Sequence, residues 1–190
     1  MRVITGIARG RKLKEPEGME IRPTSDKVKE SIFNIIQYDV EGRNALDLFA
    51  GTGQLGIEAL SRGAASVTFV DESASAIRLV KENLKRTGLP GGKTVLGDAL
   101  EFLKRPGKFD LIFIDPPYDS DLMNKSLQKI FEFDKLNENG IIICESKKDL
   151  EMPEPPHPYK MLREYRYGKV KVTVYIRLSR MSEGQSGTDG

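Results

Sequence analysis

The chain has little of what disulfide-bonded and zinc-binding proteins depend on, with one cysteine and one histidine in 190 residues. One cysteine excludes an intramolecular disulfide, and the pair is too few for a structural zinc site, so no metal is expected. No apolar run approaches the ~20 residues of a membrane-spanning helix. The N-terminus lacks the apolar centre of a signal peptide. The expectation is a cytoplasmic protein with no membrane partner.

Charge is present in both signs, giving a net charge of +2, but it is unevenly distributed. Residues 1–14 hold five basic side chains and no acidic one, and residues 160–180 hold seven basic side chains and only Glu164 as an acid. Two basic ends are compatible with a polyanion held at one face. They are also compatible with the solvated faces of strands, and charge alone favours this second interpretation.

From Asn44 onward, short apolar segments alternate with amphipathic ones. Strands are expected at 45–50, 66–70, 93–96, 109–115 and 140–145, with helices between them. Such near-continuous apolar strands predict a parallel sheet covered on both faces. Two final strands, 160–167 and 169–178, are joined at Gly168 and are therefore antiparallel. The predicted fold class is α/β, with a mostly parallel seven-stranded sheet and an antiparallel last strand.

Three units are predicted along the chain. Residues 1–43 form an N-terminal extension, made of a small hairpin over 2–14 and a helix from about Asp26 to Tyr38 that Thr24 or Ser25 caps. Residues 44–180 form the main domain. The polar, Gly/Ser-rich residues 181–190 are expected to be a disordered tail.

A glycine-rich loop follows the first strand of the main domain, in the string D-L-F-A-G-T-G-Q-L-G. Gly51, Gly53 and Gly56 fit the G-x-G-x-x-G pattern, and Asp71 ends the next strand twenty residues after Gly51. The helix start after such a loop offers free N–H groups, and Asp71 is placed to accept hydrogen bonds from ribose hydroxyls. NAD enzymes and S-adenosylmethionine (SAM) enzymes share this pattern, so the loop alone does not separate them.

Two further aspartates favour SAM. Asp47 precedes the loop by four residues, where a carboxylate suits the ammonium of a methionine group and repels a pyrophosphate. Asp98 follows the third strand and is placed to accept a hydrogen bond from an adenine amino group. The alternative interpretations are a buried, hydrogen-bonded carboxylate for Asp47 and a helix cap for Asp98.

The string D-P-P-Y after the fourth strand indicates where a target amine would lie. Pro116 and Pro117 remove two backbone N–H donors, which leaves the Asp115 carboxylate and nearby carbonyls as acceptors for an exocyclic amine. Tyr118 offers a flat face for base stacking, worth roughly 1–3 kcal/mol. The pattern predicts methyl transfer to a base nitrogen. Alternatively, the prolines merely end a strand and Tyr118 packs.

Taken together, these motifs and L-G-I-E-A-L-S-R-G-A at 55–64 resemble class I SAM-dependent methyltransferases that methylate amines. The N-terminal strings R-V-I-T-G-I-A-R-G-R-K-L at 2–13 and R-P-T-S-D-K-V-K-E-S-I-F-N-I at 22–35 are similar to those of the RsmD family. Its members are 16S ribosomal RNA (guanine-N2)-methyltransferases. The resemblance covers about residues 1–180.

The resemblance implies a Rossmann-like class I methyltransferase fold, SAM as the cofactor, and 16S rRNA in the small ribosomal subunit or its assembly intermediate as the partner. It also implies roles for individual residues. Cofactor contacts are expected from Asp47, Phe49, Ala50, Gly51, Gly53, Asp71, Glu72, Asp98 and Ala99. The catalytic pocket is expected from Asp115, Pro116, Pro117 and Tyr118. RNA contacts are expected from Arg2, Arg9, Arg11, Lys12, Arg22 and Thr24.

Alternative functions stay open at this point: an adenine-N6 or other amino methyltransferase acting on DNA or another substrate, a NAD-dependent oxidoreductase, or a non-catalytic RNA-binding module. Glu145, at the end of the fifth strand, is either a substrate contact or a structural cap. Cys144 is expected to be a buried core thiol, and His157 an exposed loop residue. The chain is expected to be a monomer.

Overall fold

The computed structural model of the chain describes residues 1–16, 25–118 and 121–179. The predicted RNA contacts Arg22 and Thr24 and the tail 181–190 lie outside the described residues. The helices are α1 (Asp26–Ile35), α2 (Gln54–Ser61), α3 (Ala74–Thr87), α4 (Ala99–Leu103) and α5 (Leu122–Glu132). The strands are β1 (Asn44–Asp47), β2 (Ser66–Asp71), β3 (Gly92–Leu96), β4 (Phe109–Ile114), β5 (Leu136–Lys147), β6 (Tyr159–Tyr167) and β7 (Val170–Arg177).

Within the described residues, the strands form one seven-stranded sheet in the order β3-β2-β1-β4-β5-β7-β6. The strands β1 to β5 pair in parallel, while β7 runs antiparallel to both β5 and β6. The predicted α/β class and the antiparallel last strand are confirmed. The last strand of the chain is inserted between β5 and β6, so β6 is the edge strand.

Both faces of the sheet are buried, which explains the unbroken apolar strands of the sequence. One face packs against α4 and α5 through residues such as Leu46, Ile112 and Ile142. The opposite face packs against α1, α2 and α3 through residues such as Leu111 and Phe113. The central strands therefore have no solvated side on which polar residues could alternate.

Element boundaries differ from the predictions at the ends. The strand β1 ends at Asp47 instead of Ala50, although the chain keeps a hydrogen bond to each neighbouring strand beyond that point. The Leu48 N–H donates to Phe113 on one side, and the Ala50 N–H donates to Val70 on the other. The helix α1 ends at Ile35 instead of Tyr38, and its cap is Ser25, whose hydroxyl accepts from the Val28 N–H at 3.3 Å.

Residues 1–14, called the N-terminal arm below, run along α2 and α3. The N–H groups of Ile4 and Thr5 donate to the buried Glu58 carboxylate at 2.8 and 2.9 Å, in the second half of α2. At the other end, the Lys14 N–H donates to Asn83 Oδ1 at 2.7 Å, and the Asn83 amide also donates to the Thr52 carbonyl at 3.0 Å. The arm thus lies against the back of the glycine loop. The turn in the middle of the arm, which is its tip, points away from that loop.

Across the described part of the chain, we find no helix with the length and apolarity to cross a bilayer.

Candidate active site

A cavity of about 480 Å³ lies at the carboxyl ends of β1, β2, β4 and β5. This is where open α/β sheets bind ligands. All the predicted cofactor and catalytic residues except Gly53 line it: Asp47, Phe49, Ala50, Gly51, Asp71, Glu72, Asp98, Ala99, Asp115, Pro116, Pro117 and Tyr118. The fold therefore brings the glycine loop and the D-P-P-Y string, which are separated by about sixty residues in sequence, into one site.

The glycines of the loop serve different purposes. Gly53 precedes α2 with φ of +77°, a conformation that disfavours other residues. Gly56 allows close packing, because a Cβ there would lie 2.3 Å from the Phe69 ring. Gly51 lines the cavity, and its N–H donates to Asp71 Oδ2 at 2.9 Å. Gly53 and Gly56 thus set the turn and dock α2 on the sheet.

Asp47 is a buried acid at the cavity wall, with 3% of its surface exposed. Burial raises the pKa of its carboxyl to about 7, the hydrogen bond from the Gly56 N–H at 3.0 Å opposes that rise, and the charge of Asp71 adds to it. A cationic group in the cavity would favour the ionised form. The alternative interpretation, a buried and hydrogen-bonded carboxylate, describes the same geometry, so the two are compatible.

The other two cofactor-side aspartates are also held by backbone donors. Asp71 accepts from the N–H groups of Gly51 and Ser73, at 2.9 and 2.8 Å. Asp98 caps α4 by accepting from the Glu101 N–H at 2.8 Å. A carboxylate has about four acceptor positions, so both retain capacity for a ligand. The cap interpretation of Asp98 is correct, and it does not exclude a binding role.

The D-P-P-Y string follows β4 directly and turns across the cavity. Asp115 and Tyr118 are half-buried, Pro116 is buried and Pro117 is exposed. The Tyr118 hydroxyl donates to Glu145 Oε1 at 3.1 Å. Glu145 itself is buried and lines the cavity, so it belongs to the site and orients the tyrosine.

Sequence reasoning missed part of the lining: Leu48, Thr52, Gln54, Leu55 and Leu122. Gln54 is the most informative of them, because its Oε1 is buried with no hydrogen-bond partner among the described residues. A buried acceptor at a cavity wall is costly unless a ligand donates to it. Its position between two glycines of the motif was a usable signal.

The predicted RNA contacts of the N-terminal arm lie outside the cavity lining. Arg2 lies 3.7 Å from the Asp26 carboxylate, and Arg11 donates to the Arg86 carbonyl at 3.0 Å, near the end of α3. Arg9 and Lys12 are exposed. Because α3 starts at the cavity edge and its 14 residues span about 21 Å, Arg11 lies toward the opposite end of the molecule.

Other candidate reactive groups lie away from this chemistry. Cys144 is buried as predicted, and burial raises the pKa of its thiol. His157 is exposed in its loop, also as predicted. The described ranges contain no cluster of three His, Cys, Asp or Glu residues that could hold a metal ion.

The family model described as conserved hypothetical protein 95 matches residues 1–176. Ribosomal RNA small subunit methyltransferase D of Escherichia coli is 32% identical over 190 residues, with 100% of this chain and 94% of that protein covered. The chain belongs to the RsmD family. The predicted resemblance is confirmed.

Two further matches extend the comparison of this RsmD-family chain. The protein YlbH of Bacillus subtilis is 45% identical over 180 residues, which cover 92% of this chain and 98% of YlbH. The solved structure of yhhF from Escherichia coli superposes with a TM-score of 0.85 at 32% identity, covering 95% of this chain and 99% of that one. The predicted fold class agrees with that structure along nearly the whole chain.

Proposed function

We propose that this RsmD-family chain transfers a methyl group from SAM to the exocyclic N2 amine of a guanine in 16S ribosomal RNA of the small subunit. The observation that carries the proposal is the single cavity shared by the glycine loop with Asp47 and by the Asp115–Tyr118 corner. Relatives named ribosomal RNA small subunit methyltransferase D, at 32% and 34% identity, support the substrate class.

The residues present fit SAM on the cofactor side. The cavity volume is within the ~300–1,000 Å³ typical of small-molecule sites. Gln54 Oε1 is a buried acceptor with no hydrogen-bond donor among the described residues. Asp47 would hold the ammonium, Asp71 and Glu72 the ribose hydroxyls, and Asp98 and Ala99 the adenine. When bound, SAM supplies an electrophilic methyl group on a sulfonium.

On the target side, the protein's task is to position and activate an aromatic amine. The lone pair of such an amine is delocalised into the ring, which makes it a poor nucleophile. Hydrogen bonds from its N–H groups to Asp115 and to nearby carbonyls raise the electron density on nitrogen and aim the lone pair. Tyr118, held by Glu145, stacks on the base, which must first leave its own stack. Most of the acceleration comes from this positioning.

The experiment supplies methyl-labelled SAM with unmodified small subunits, naked 16S RNA or duplex DNA, and identifies the product by mass spectrometry of the digested nucleosides. The expected product is N2-methylguanosine from the ribosomal substrate. N6-methyladenine would overturn the guanine assignment while keeping the Asp115 chemistry, since adenine also carries an exocyclic amine. Failure to bind SAM would contradict the proposal altogether.

The cellular setting is proposed along with the reaction. We propose that the chain acts in the cytoplasm on its ribosomal substrate, and that it is a monomer, which is supported by a cavity lined by residues of one chain. Size-exclusion chromatography with light scattering tests the second point, for which a mass near 21.3 kDa is expected.

A further inference from the structure

The β6–β7 end of the sheet carries basic and aromatic side chains on the same face as the target side of the cavity. Side chains paired across neighbouring strands point to the same face of a sheet. One row across β5, β7 and β6 consists of Glu145, Val172 and Tyr165, and the next row consists of Lys147, Val170 and Tyr167. Glu145 lines the cavity. Lys147 and the two tyrosines therefore lie on the face of the sheet that borders the cavity.

These residues lie close to the cavity and continue away from it. Strands are spaced about 4.8 Å apart, so the Cα of Tyr165 is about 10 Å from that of Glu145 across two strands. Lys147 is two residues further along β5, or about 6.6 Å. The Arg163 guanidinium lies 5.6 Å from the centre of the Tyr165 ring. Lys169 is exposed in the turn between β6 and β7.

We call this surface the basic strip and define it as Lys147, Arg163, Tyr165, Tyr167 and Lys169. Glu145 is the acid next to it on the same face, and further acids lie on the other side of the sheet. On the opposite face, Glu164 pairs with Lys171 at 2.6 Å. The loop acids Asp149, Glu151 and Glu154 line a groove there together with that pair. The strip therefore brings together three basic side chains and two half-buried rings, which also pack against the hydrophobic core.

We propose that the basic strip binds the RNA backbone next to the target nucleotide. Lysine and arginine contact phosphates, and tyrosine rings beside them stack on unpaired bases. A target base that leaves its stack to enter the cavity brings its flanking single strand across this face. The inference rests on the proposed function for the identity of the RNA. The C-terminal basic segment of the sequence thereby acquires a location, directly beside the Asp115 corner.

The test compares two double variants with equal charge change. Lys147→Glu with Lys169→Glu reverses the strip, and Lys85→Glu with Lys93→Glu reverses two exposed lysines on α3 and β3, at the other side of the molecule. Binding to unmodified small subunits and to naked 16S RNA is measured between 50 and about 300 mM KCl. Turnover at saturating substrate, SAM affinity and melting temperature are recorded for each.

The strip variant is expected to bind RNA about 10- to 100-fold more weakly at 0.15 M salt, with a log–log salt slope shallower by about 1.4, since each single-strand phosphate contact contributes about 0.7. Its SAM affinity and melting temperature are expected to match wild type, while the control variant shows little loss. An equal loss of RNA affinity in the control variant would show that the effect comes from net charge alone, and it would overturn the proposal.

Two other outcomes separate the strip from the proposed function. Loss of binding to small subunits with unchanged binding to naked RNA would assign the strip to a ribosomal protein and overturn an RNA contact. If the wild-type protein methylates none of the substrates but binds RNA, and only the strip variant loses RNA affinity, the proposed reaction would be refuted and the role of the strip in RNA binding would be supported.

Discussion

The cofactor half and the target half of the cavity support their carboxylates in different ways. In the cofactor half, Asp47, Asp71 and Asp98 each accept a backbone N–H, from a loop or from a helix start. In the target half, Asp115 is followed by two prolines, which have no N–H to give. Glu145 accepts from a tyrosine hydroxyl. A backbone N–H thus holds each cofactor-side aspartate, and a tyrosine hydroxyl holds the buried glutamate of the target half.

This difference teaches how one sheet edge serves two partners. Backbone donors fix the cofactor-side acids before any ligand arrives, which lowers the cost of organising the site on binding. On the target side, the two prolines contribute no N–H group that would occupy the acceptors proposed for the substrate's amine. The two halves are therefore expected to respond separately to substitution, one through cofactor affinity and the other through turnover.

The largest effect is expected from Asp115→Asn, which replaces an acceptor oxygen with a donor in nearly the same shape. Turnover is expected to fall about 100- to 1,000-fold, as for the loss of one well-aimed group at a reacting centre. SAM affinity by calorimetry is expected to stay within about twofold of wild type. Asp149→Asn, an exposed acid outside the cavity, is the control. Unchanged turnover, or an equal loss of SAM affinity, would refute the separation of the halves.

The next effect concerns pH and Asp47. Because burial raises the pKa of this carboxyl to about 7, the free protein carries it mostly protonated at pH 6 and mostly ionised at pH 8. An ammonium binds the ionised form, so SAM affinity is expected to rise about tenfold between these pH values. Asp47→Asn is expected to bind more weakly at pH 8 and to lose this dependence. A parallel rise in the variant would contradict the ammonium contact.

The same raised pKa has a consequence for stability without ligand. A carboxyl whose pKa is higher in the folded than in the unfolded state favours folding at low pH, and that contribution is lost as pH rises from about 4 to above 7. Three pH units correspond to at most about 4 kcal/mol. Denaturant unfolding of wild type is therefore expected to show this loss, and Asp47→Asn to lack it. Identical pH profiles for the two proteins would show that Asp47 titrates normally.

A smaller effect is expected at Gln54, where binding and stability should move in opposite directions. Gln54→Met keeps the length of the side chain and removes the unpaired buried oxygen. SAM affinity is expected to fall about 5- to 10-fold, the worth of one hydrogen bond. The melting temperature of the ligand-free variant is expected to equal or exceed that of the wild-type protein. Loss of both would indicate an ordinary packing residue.

The sequence predicted the cofactor half better than the target half for a physical reason. A glycine loop, its helix and the acid at the end of the next strand are local, so their spacing carries the geometry. The Tyr118–Glu145 contact depends on β4 and β5 lying side by side, which no short motif encodes. From the sequence, Glu145 could therefore be interpreted only as either a substrate contact or a structural cap. The register of β4 and β5 brings it next to the D-P-P-Y string.

Charge counting had a similar limit. It showed that both ends of the chain are basic, but not where either end lies relative to the cavity. Strand pairing puts the second basic segment beside the target half, because β7 runs antiparallel to β5 and returns the β6–β7 turn to that edge. Hydrogen bonds to Glu58 and Ser61 direct the tip of the N-terminal arm along α2, away from that edge.

The smallest effect is expected at the N-terminal arm, whose RNA contacts are a proposal. Arg9→Glu with Arg11→Glu is expected to weaken RNA binding about 2- to 5-fold, less than reversal of the basic strip, because Arg11 lies about 20 Å from the cavity edge along α3. The salt slope is expected to become shallower by less than one unit. Turnover at saturation should not change.

The melting temperature of this arm variant must be measured alongside, because Arg11 also donates to the Arg86 carbonyl and its loss affects the end of α3. Arg9→Glu alone separates the two contributions, since Arg9 is exposed and Arg11 then keeps its bond. A shallower salt slope in the single variant would place RNA along the arm, so that the substrate reaches beyond the target half. An unchanged slope would mean that the arm's arginines are solvated or contact α3 but do not contact RNA. RNA would then be bound only at the cavity edge.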